Sequence, residues 1–319
     1  MPVKELTEAL IRETEKIIIG KTDTIRLVLA AIFAGGHVLL EDLPGSGKTT
    51  LVRTLALALG CDCKRLQFTP DLLPSDVVGM TVFNQKTGEF AVKNGPVFTN
   101  LLLADEINRA IPRTQSALLE AMEERQVSIE GESRKLPVPF FVMATQNPVE
   151  KESTFPLPAA QLDRFFLKLS MGYPTAEEEL DMLTGLGYAT PYETVQPVAS
   201  PEQLARLREE IAAITVTDEV KEYIVALVQR TRSHSSLLLG ASPRGSRTLY
   251  QGGKALAPMA GRDYVVPEDI RELYLPALSH RIALTGEARY AGRTPEQILR
   301  EILEDTEVPP YRKDRFRHA

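Results

Sequence analysis

The stretch Gly36-His37-Val38-Leu39-Leu40-Glu41-Asp42-Leu43-Pro44-Gly45-Ser46-Gly47-Lys48-Thr49-Thr50 constrains the fold more than any other part of the chain. It reads as a short apolar strand, a turn bearing two glycines, and a helix that opens on a lysine and a hydroxyl. Glycine permits the left-handed backbone angles that turn successive N–H groups toward one point, and a helix N-terminus adds its positive dipole end there. Such a loop cradles phosphate. The expected nucleotide-binding residues are therefore Pro44, Gly45, Ser46, Gly47, Lys48, Thr49 and Thr50. Lys48 would reach the β/γ-phosphates and the Thr49 hydroxyl would ligate Mg²⁺. The strict pattern has glycine where this chain has Asp42, a residue that tolerates left-handed angles better than most. An ordinary strand–turn–helix corner would share these residues, so the loop needs support from elsewhere in the chain.

That support comes from Leu101-Leu102-Leu103-Ala104-Asp105-Glu106. A continuous apolar run of this length suits a strand buried on both faces of a parallel sheet, and ligands of such sheets bind at the carboxyl ends. Asp105 is expected to hold the Mg²⁺ shell and Glu106 to orient or deprotonate an attacking water. An acidic pair at this position also serves as a helix N-cap followed by a first-turn glutamate. A further apolar run, Phe140 to Thr145, delivers Gln146-Asn147-Pro148. The Asn147 amide there is placed to hydrogen-bond a phosphate or the water, although Asn-Pro is by itself a turn signal. Arg164 stands just before a short strand, Phe165 to Leu169.

With 43% hydrophobic and 25% charged residues among 319, the chain has the balance of a globular protein long enough for two domains. Its net charge of −6 provides no overall basic field to recruit nucleic acid or an anionic membrane. No run approaches the ~18 apolar residues of a membrane span, and the start reads as an amphipathic helix without a signal-peptide core. A cytoplasmic protein is the expectation. Cys61 and Cys63 stand alone on a Cys-x-Cys and are read as reduced thiols at a strand edge rather than a zinc site.

Along the chain, helices are expected from about Leu6 to Ile18, Asp23 to Ala34 and Thr49 to Leu59. The irregular stretch from Thr69 to Thr99 contains a hairpin around Val82 to Val92, and a second is centred on Glu130-Gly131-Glu132. The helix from Pro112 to Gln126 should turn Leu118, Leu119 and Met122 inward and Glu120, Glu123, Glu124 and Arg125 outward. From about Tyr173 the texture becomes helix after helix, which places a domain boundary between residues 172 and 173. Capping boxes at Thr175/Glu178, Ser200/Gln203 and Thr294/Gln297 mark starts, and helices are expected over Asp218–Arg232, Pro243–Ala260 and Pro267–Leu284. Residues 185–197 read as the loosest connector, and the basic end from Arg312 to His318 as a solvated tail. Arg244 sits where a helix begins; an external anion would rationalise a cation there, and so would a salt bridge to a neighbour.

Taken together, these motifs resemble the AAA+ ATPases and, more narrowly, the MoxR family. The resemblance runs from about Ile19 to Pro310. It is carried by Glu41 to Thr49, by Gln67-Phe68-Thr69-Pro70-Asp71-Leu72-Leu73-Pro74-Ser75-Asp76, by Leu103 to Ala110 and by Ala144 to Pro148. The resemblance implies an α/β core with a five-stranded parallel sheet followed by an all-α helical lid. It further implies a homo-oligomeric, hexameric ring with ATP and Mg²⁺ between subunits. Lys48 and Thr49 would form the Walker A pair, Asp105 and Glu106 the Walker B pair. Asn147 would be sensor 1, Arg244 in the lid sensor 2, and Arg164 the arginine finger, a role for which Arg109 and Arg113 are alternatives. Ile19 and Gly20 would lie near the adenine, and the two hairpins would line the ring's pore. The implied function is chaperone-like remodelling of client proteins, often ones with a von Willebrand factor A domain, including metal-cofactor insertion.

Two other functions share this residue set. A nucleic-acid motor related to replicative helicases would use the same inserts, although no zinc site, DNA-binding module or broad basic stripe accompanies them here. Nucleic acid is therefore not the expected partner. A chelatase-like subunit would bind nucleotide and turn it over only with a partner present.

Overall fold

Five parallel strands form the central sheet, in the order β2-β5-β8-β1-β9. The computed structural model describes residues 1–41, 45–86, 88–147, 154–184 and 192–309. The strands along the chain are β1 (Val38–Glu41), β2 (Cys63–Gln67), β3 (Gly79–Asn84), β4 (Glu89–Asn94), β5 (Leu101–Asp105) and β6 (Gln126–Ile129). They continue with β7 (Glu132–Lys135), β8 (Phe141–Gln146), β9 (Leu167–Leu169), β10 (Leu237–Leu239) and β11 (Ala283–Leu284). Every residue of β5 is buried, as is β8 from Phe141 to Thr145, which explains their unbroken apolar runs. β2 is an edge strand and can therefore carry Lys64, Arg65 and Gln67. Parallel register sets Gln67 beside Asp105 and Glu41 beside Gln146, so the polar carboxyl ends of four strands open on one rim.

The helices follow the apolar spacing. Val3–Glu15 buries Leu6 and Leu10, and Thr22–Ala34 buries Ile25, Val28, Leu29 and Ile32. Gly35 closes the second in the left-handed region (φ 74°), and Gly36 follows where any Cβ would lie 2.3 Å from the Phe166 side chain. Lys48–Ala58 and Pro112–Glu124 pack on the sheet, the latter through Leu118, Leu119 and Met122 against Leu102, Val142 and Phe165. β3 pairs with β4 and β6 with β7 as the two antiparallel hairpins, and Phe83 and Phe90 stack across the first, both exposed, with ring centroids 5.2 Å apart.

Arg125 turns inward, where the helical pattern had it outward. It ends its helix in a left-handed conformation (φ 57°), which folds the guanidinium back to donate to the carbonyls of Phe140 and Gly35. Burial, together with nearby Arg208, pushes its pKa down to about 10. All three expected capping boxes form: the Thr175, Ser200 and Thr294 hydroxyls accept from the N–H groups of Glu178, Gln203 and Gln297, whose side chains accept in return.

By compactness the chain divides at Met1–Glu209 and Glu210–Ala319. The change of texture at residue 173 marks where strands of the large sheet cease; the division at 209 marks where contacts thin out. In the second unit, helices Asp218–Ser233, Pro243–Met259, Pro267–Leu278 and Pro295–Asp305 pack around the fully buried Tyr274. Here the expectation of an unbroken helix from Pro267 to Leu284 fails. The helix stops at Leu278 because the buried Arg281 guanidinium takes the Ala277 carbonyl and the Thr248 hydroxyl, and Leu284 then pairs with Leu237 in the β10–β11 ribbon. The helical lid thus carries one short antiparallel pair. Among the described residues, no helix is long and apolar enough to cross a membrane.

Candidate nucleotide site

The loop between β1 and the helix Lys48–Ala58 opens on the polar rim of the sheet. Gly45 (φ 84°) and Gly47 (φ 80°) both take left-handed angles, and Gly47 caps the helix with no side-chain acceptor for its first turn. The N–H groups of Lys48, Thr49 and Thr50 therefore lack intrahelical acceptors at the dipole's positive end. The Ser46 hydroxyl is buried beside them without a hydrogen-bond partner. A cleft of about 380 Å³ is lined by Gly45 to Thr50, Arg65, Gln67, Asp105, Glu106, Thr145, Gln146 and Asn147. Its size and its row of donors suit a phosphate chain.

On the opposite wall the two carboxylates are tied into one network. The Thr145 hydroxyl donates to Asp105 Oδ1 at 2.7 Å and accepts from the Glu106 backbone N–H at 2.8 Å. Arg65 donates to Asp105 Oδ2 from Nε at 3.1 Å and from Nη2 at 2.6 Å. Glu106 Oε2 accepts from Gln67 Nε2 at 2.7 Å and from Arg109 Nη1 at 3.0 Å. Glu106 itself is in the left-handed region (φ 55°, ψ 50°), which aims its side chain away from the run of β5 and over the cleft. Asn147 is buried at the end of β8.

The expected residues thus divide. Gly45 to Thr50, Asp105, Glu106 and Asn147 meet in one cleft. Arg164 lies elsewhere on the first unit, half-buried and ion-paired with Glu123 at 3.3 Å, beside a depression of about 200 Å³. Ile19 and Gly20 follow the first helix, Gly20 at φ 70° against the Glu178 side chain. Arg244 is the second residue of its helix in the second unit. Pro44, together with Asp42 and Pro148, lies outside the described residues. Sequence reasoning missed Arg65, Gln67 and Thr145. Period-two spacing puts Arg65 and Gln67 on one face of their strand, but that this strand neighbours Asp105 is a matter of strand order.

Residues 37–167 match the ATPase family associated with various cellular activities (AAA), and residues 229–302 match the AAA lid domain. The uncharacterized protein YeaC of Bacillus subtilis is 52% identical over 95% of this chain and 94% of its own. Chaperone MoxR1 of Mycobacterium tuberculosis is 41% identical over 95% of this chain and 82% of its own. The chain belongs to the MoxR family of AAA+ ATPases. A crystal structure of a candidate ATPase from Cytophaga hutchinsonii superposes with a TM-score of 0.90 at 42% identity, covering 97% of this chain and 96% of that one. In this MoxR-family chain the glycine loop and the Asp105–Glu106 pair both fall within the matched AAA region, and Arg244 within the matched lid.

Proposed function

We propose that this MoxR-family protein is a cytoplasmic, chaperone-like ATPase that hydrolyses ATP between subunits of a hexameric ring to remodel or mature client proteins. The observation that carries the reading is the cleft itself. An anion cradle with an unpartnered buried hydroxyl faces two carboxylates fixed by a shared threonine. The donor set fits a nucleotide: first-turn amides and Lys48 for the phosphates, Thr49 and Asp105 for Mg²⁺, which when bound neutralises phosphate charge. Glu106 then takes a proton from water, and Asn147 positions that water or a phosphate oxygen. Arg164, set apart from its own cleft, suits a role offered to a neighbour's γ-phosphate, and Arg244 a sensor role from the lid. A relative named as a chaperone supports action on proteins. A von Willebrand factor A domain in the client, and metal-cofactor insertion, rest on family resemblance.

The test is a trap. Tagged Glu106→Gln protein, purified with Mg·ATP from its own cells, should retain ATP, lose turnover by about a thousandfold and carry an enriched client. Lys48→Ala should weaken nucleotide binding itself. Wild-type turnover by Glu106→Gln removes that residue from its role, and enriched nucleic acid without protein would favour a motor.

A further inference from the structure

Asp105 is the carboxylate expected to hold the metal, yet both of its oxygens already carry protein donors. Oδ1 accepts from Thr145, which belongs to the framework beneath the cleft. Oδ2 accepts two N–H bonds from one guanidinium, that of Arg65, whose Nη2 also donates to Gln67 Oε1 at 2.9 Å. The two partners differ in their surroundings. The Asp105 side chain is 13% exposed and anchored through Thr145, while the Arg65 side chain is 53% exposed and reaches in from the edge strand. Arg65 is therefore the mobile half of the pair: its head returns to water at little cost, whereas Asp105 has nowhere else to go.

We propose that Arg65 is a tethered counter-cation for Asp105 that the divalent metal must displace, so that Arg65 sets the metal requirement of the cleft. The inference deepens the nucleotide-site reading and rests on Asp105 being a metal-shell residue. Its chemistry is competition between two cations for one carboxylate oxygen. A guanidinium forms two directed hydrogen bonds there and keeps the acid neutralised when no metal is present. A divalent ion carries twice the charge in a smaller volume and prefers the same hard oxygen, so it displaces the arginine once its concentration suffices. Loss of Arg65 should accordingly make metal binding easier. Damage to the cleft would act in the opposite direction.

The experiment follows fluorescence of mant-labelled AMPPNP bound to the full chain, first in EDTA and then as Mg²⁺ is added. Arg65→Met keeps the stem and removes the fork. Its half-saturating Mg²⁺ should fall about fivefold, with metal-free nucleotide affinity within about twofold of wild type. Arg65→Lys, a compact charge without the fork, should fall between the two and serves if Arg65→Met does not fold. Asp105→Asn should abolish the Mg²⁺ response. An unchanged or raised half-saturation in both Arg65 variants, with Asp105→Asn still unresponsive, overturns the competition and leaves the metal site standing. A Mg²⁺ response that survives Asp105→Asn overturns the metal-site reading and the competition with it.

Discussion

Glu106 occupies a backbone region that non-glycine residues enter at a cost of about 1–3 kcal/mol, and its neighbours hold it there. Chief among them is Thr145, whose hydroxyl satisfies the Glu106 N–H and holds Asp105 with the same oxygen. Replacing Thr145 by valine preserves shape and leaves that N–H without an acceptor in a half-buried setting. The loss of roughly 1–3 kcal/mol should appear as a roughly 5- to 150-fold fall in ATP turnover with nucleotide affinity little changed. Thr145→Ser, which retains the hydroxyl, should recover most of the rate. Equal turnover in the valine and serine variants would show that the hydroxyl does not position the acids.

At the scale of elements, His37 joins the sheet to the helix Pro112–Glu124. Its Nδ1 accepts from the Val142 N–H at 2.9 Å, which leaves Nε2 to donate to the Met122 carbonyl at 3.1 Å. This demands the neutral ring. Burial, reinforced by Arg125, holds its pKa well below the usual imidazole value. The unfolded chain takes up a proton near pH 6.5 and the folded one does not, so stability declines as pH falls through that value. Between pH 6.5 and 5.5 the decline should be about 1 kcal/mol in urea unfolding. His37→Gln offers the same acceptor and donor without titrating and should flatten the profile over that interval. A profile as steep as wild type would assign the decline to other groups.

At the scale of the whole molecule, the cleft gathers the glycine loop with Asp105 and Glu106, while Arg164 is held by Glu123 beside a different depression. On the ring reading proposed above, an arginine so placed would reach a γ-phosphate by meeting another copy. Mixing Arg164→Ala subunits with wild type should therefore lower ATPase activity more steeply than dilution, because one defective subunit also silences its neighbour's site. A strictly linear loss would argue that Arg164 does not act in trans.

Local chemistry determined much of this protein before any fold was known. Gly45 and Gly47 bracket a turn that demands left-handed angles, the apolar runs ending in Asp105 and Gln146 are those of strands buried on both faces, and three capping boxes announced three helix starts. These signals are legible because each rests on neighbours within a few residues. Tertiary structure decided the rest. The order β2-β5-β8-β1-β9 put Arg65 and Gln67 against the acidic pair, and the buried Arg281, bonded to Ala277 and Thr248, ended the helix after Leu278. The Arg125 guanidinium went inward because two carbonyls, one after the helix Thr22–Ala34 and one before β8, lie within its reach. Their partners come from distant segments that only folding brings together, and no local period encodes which segments those are.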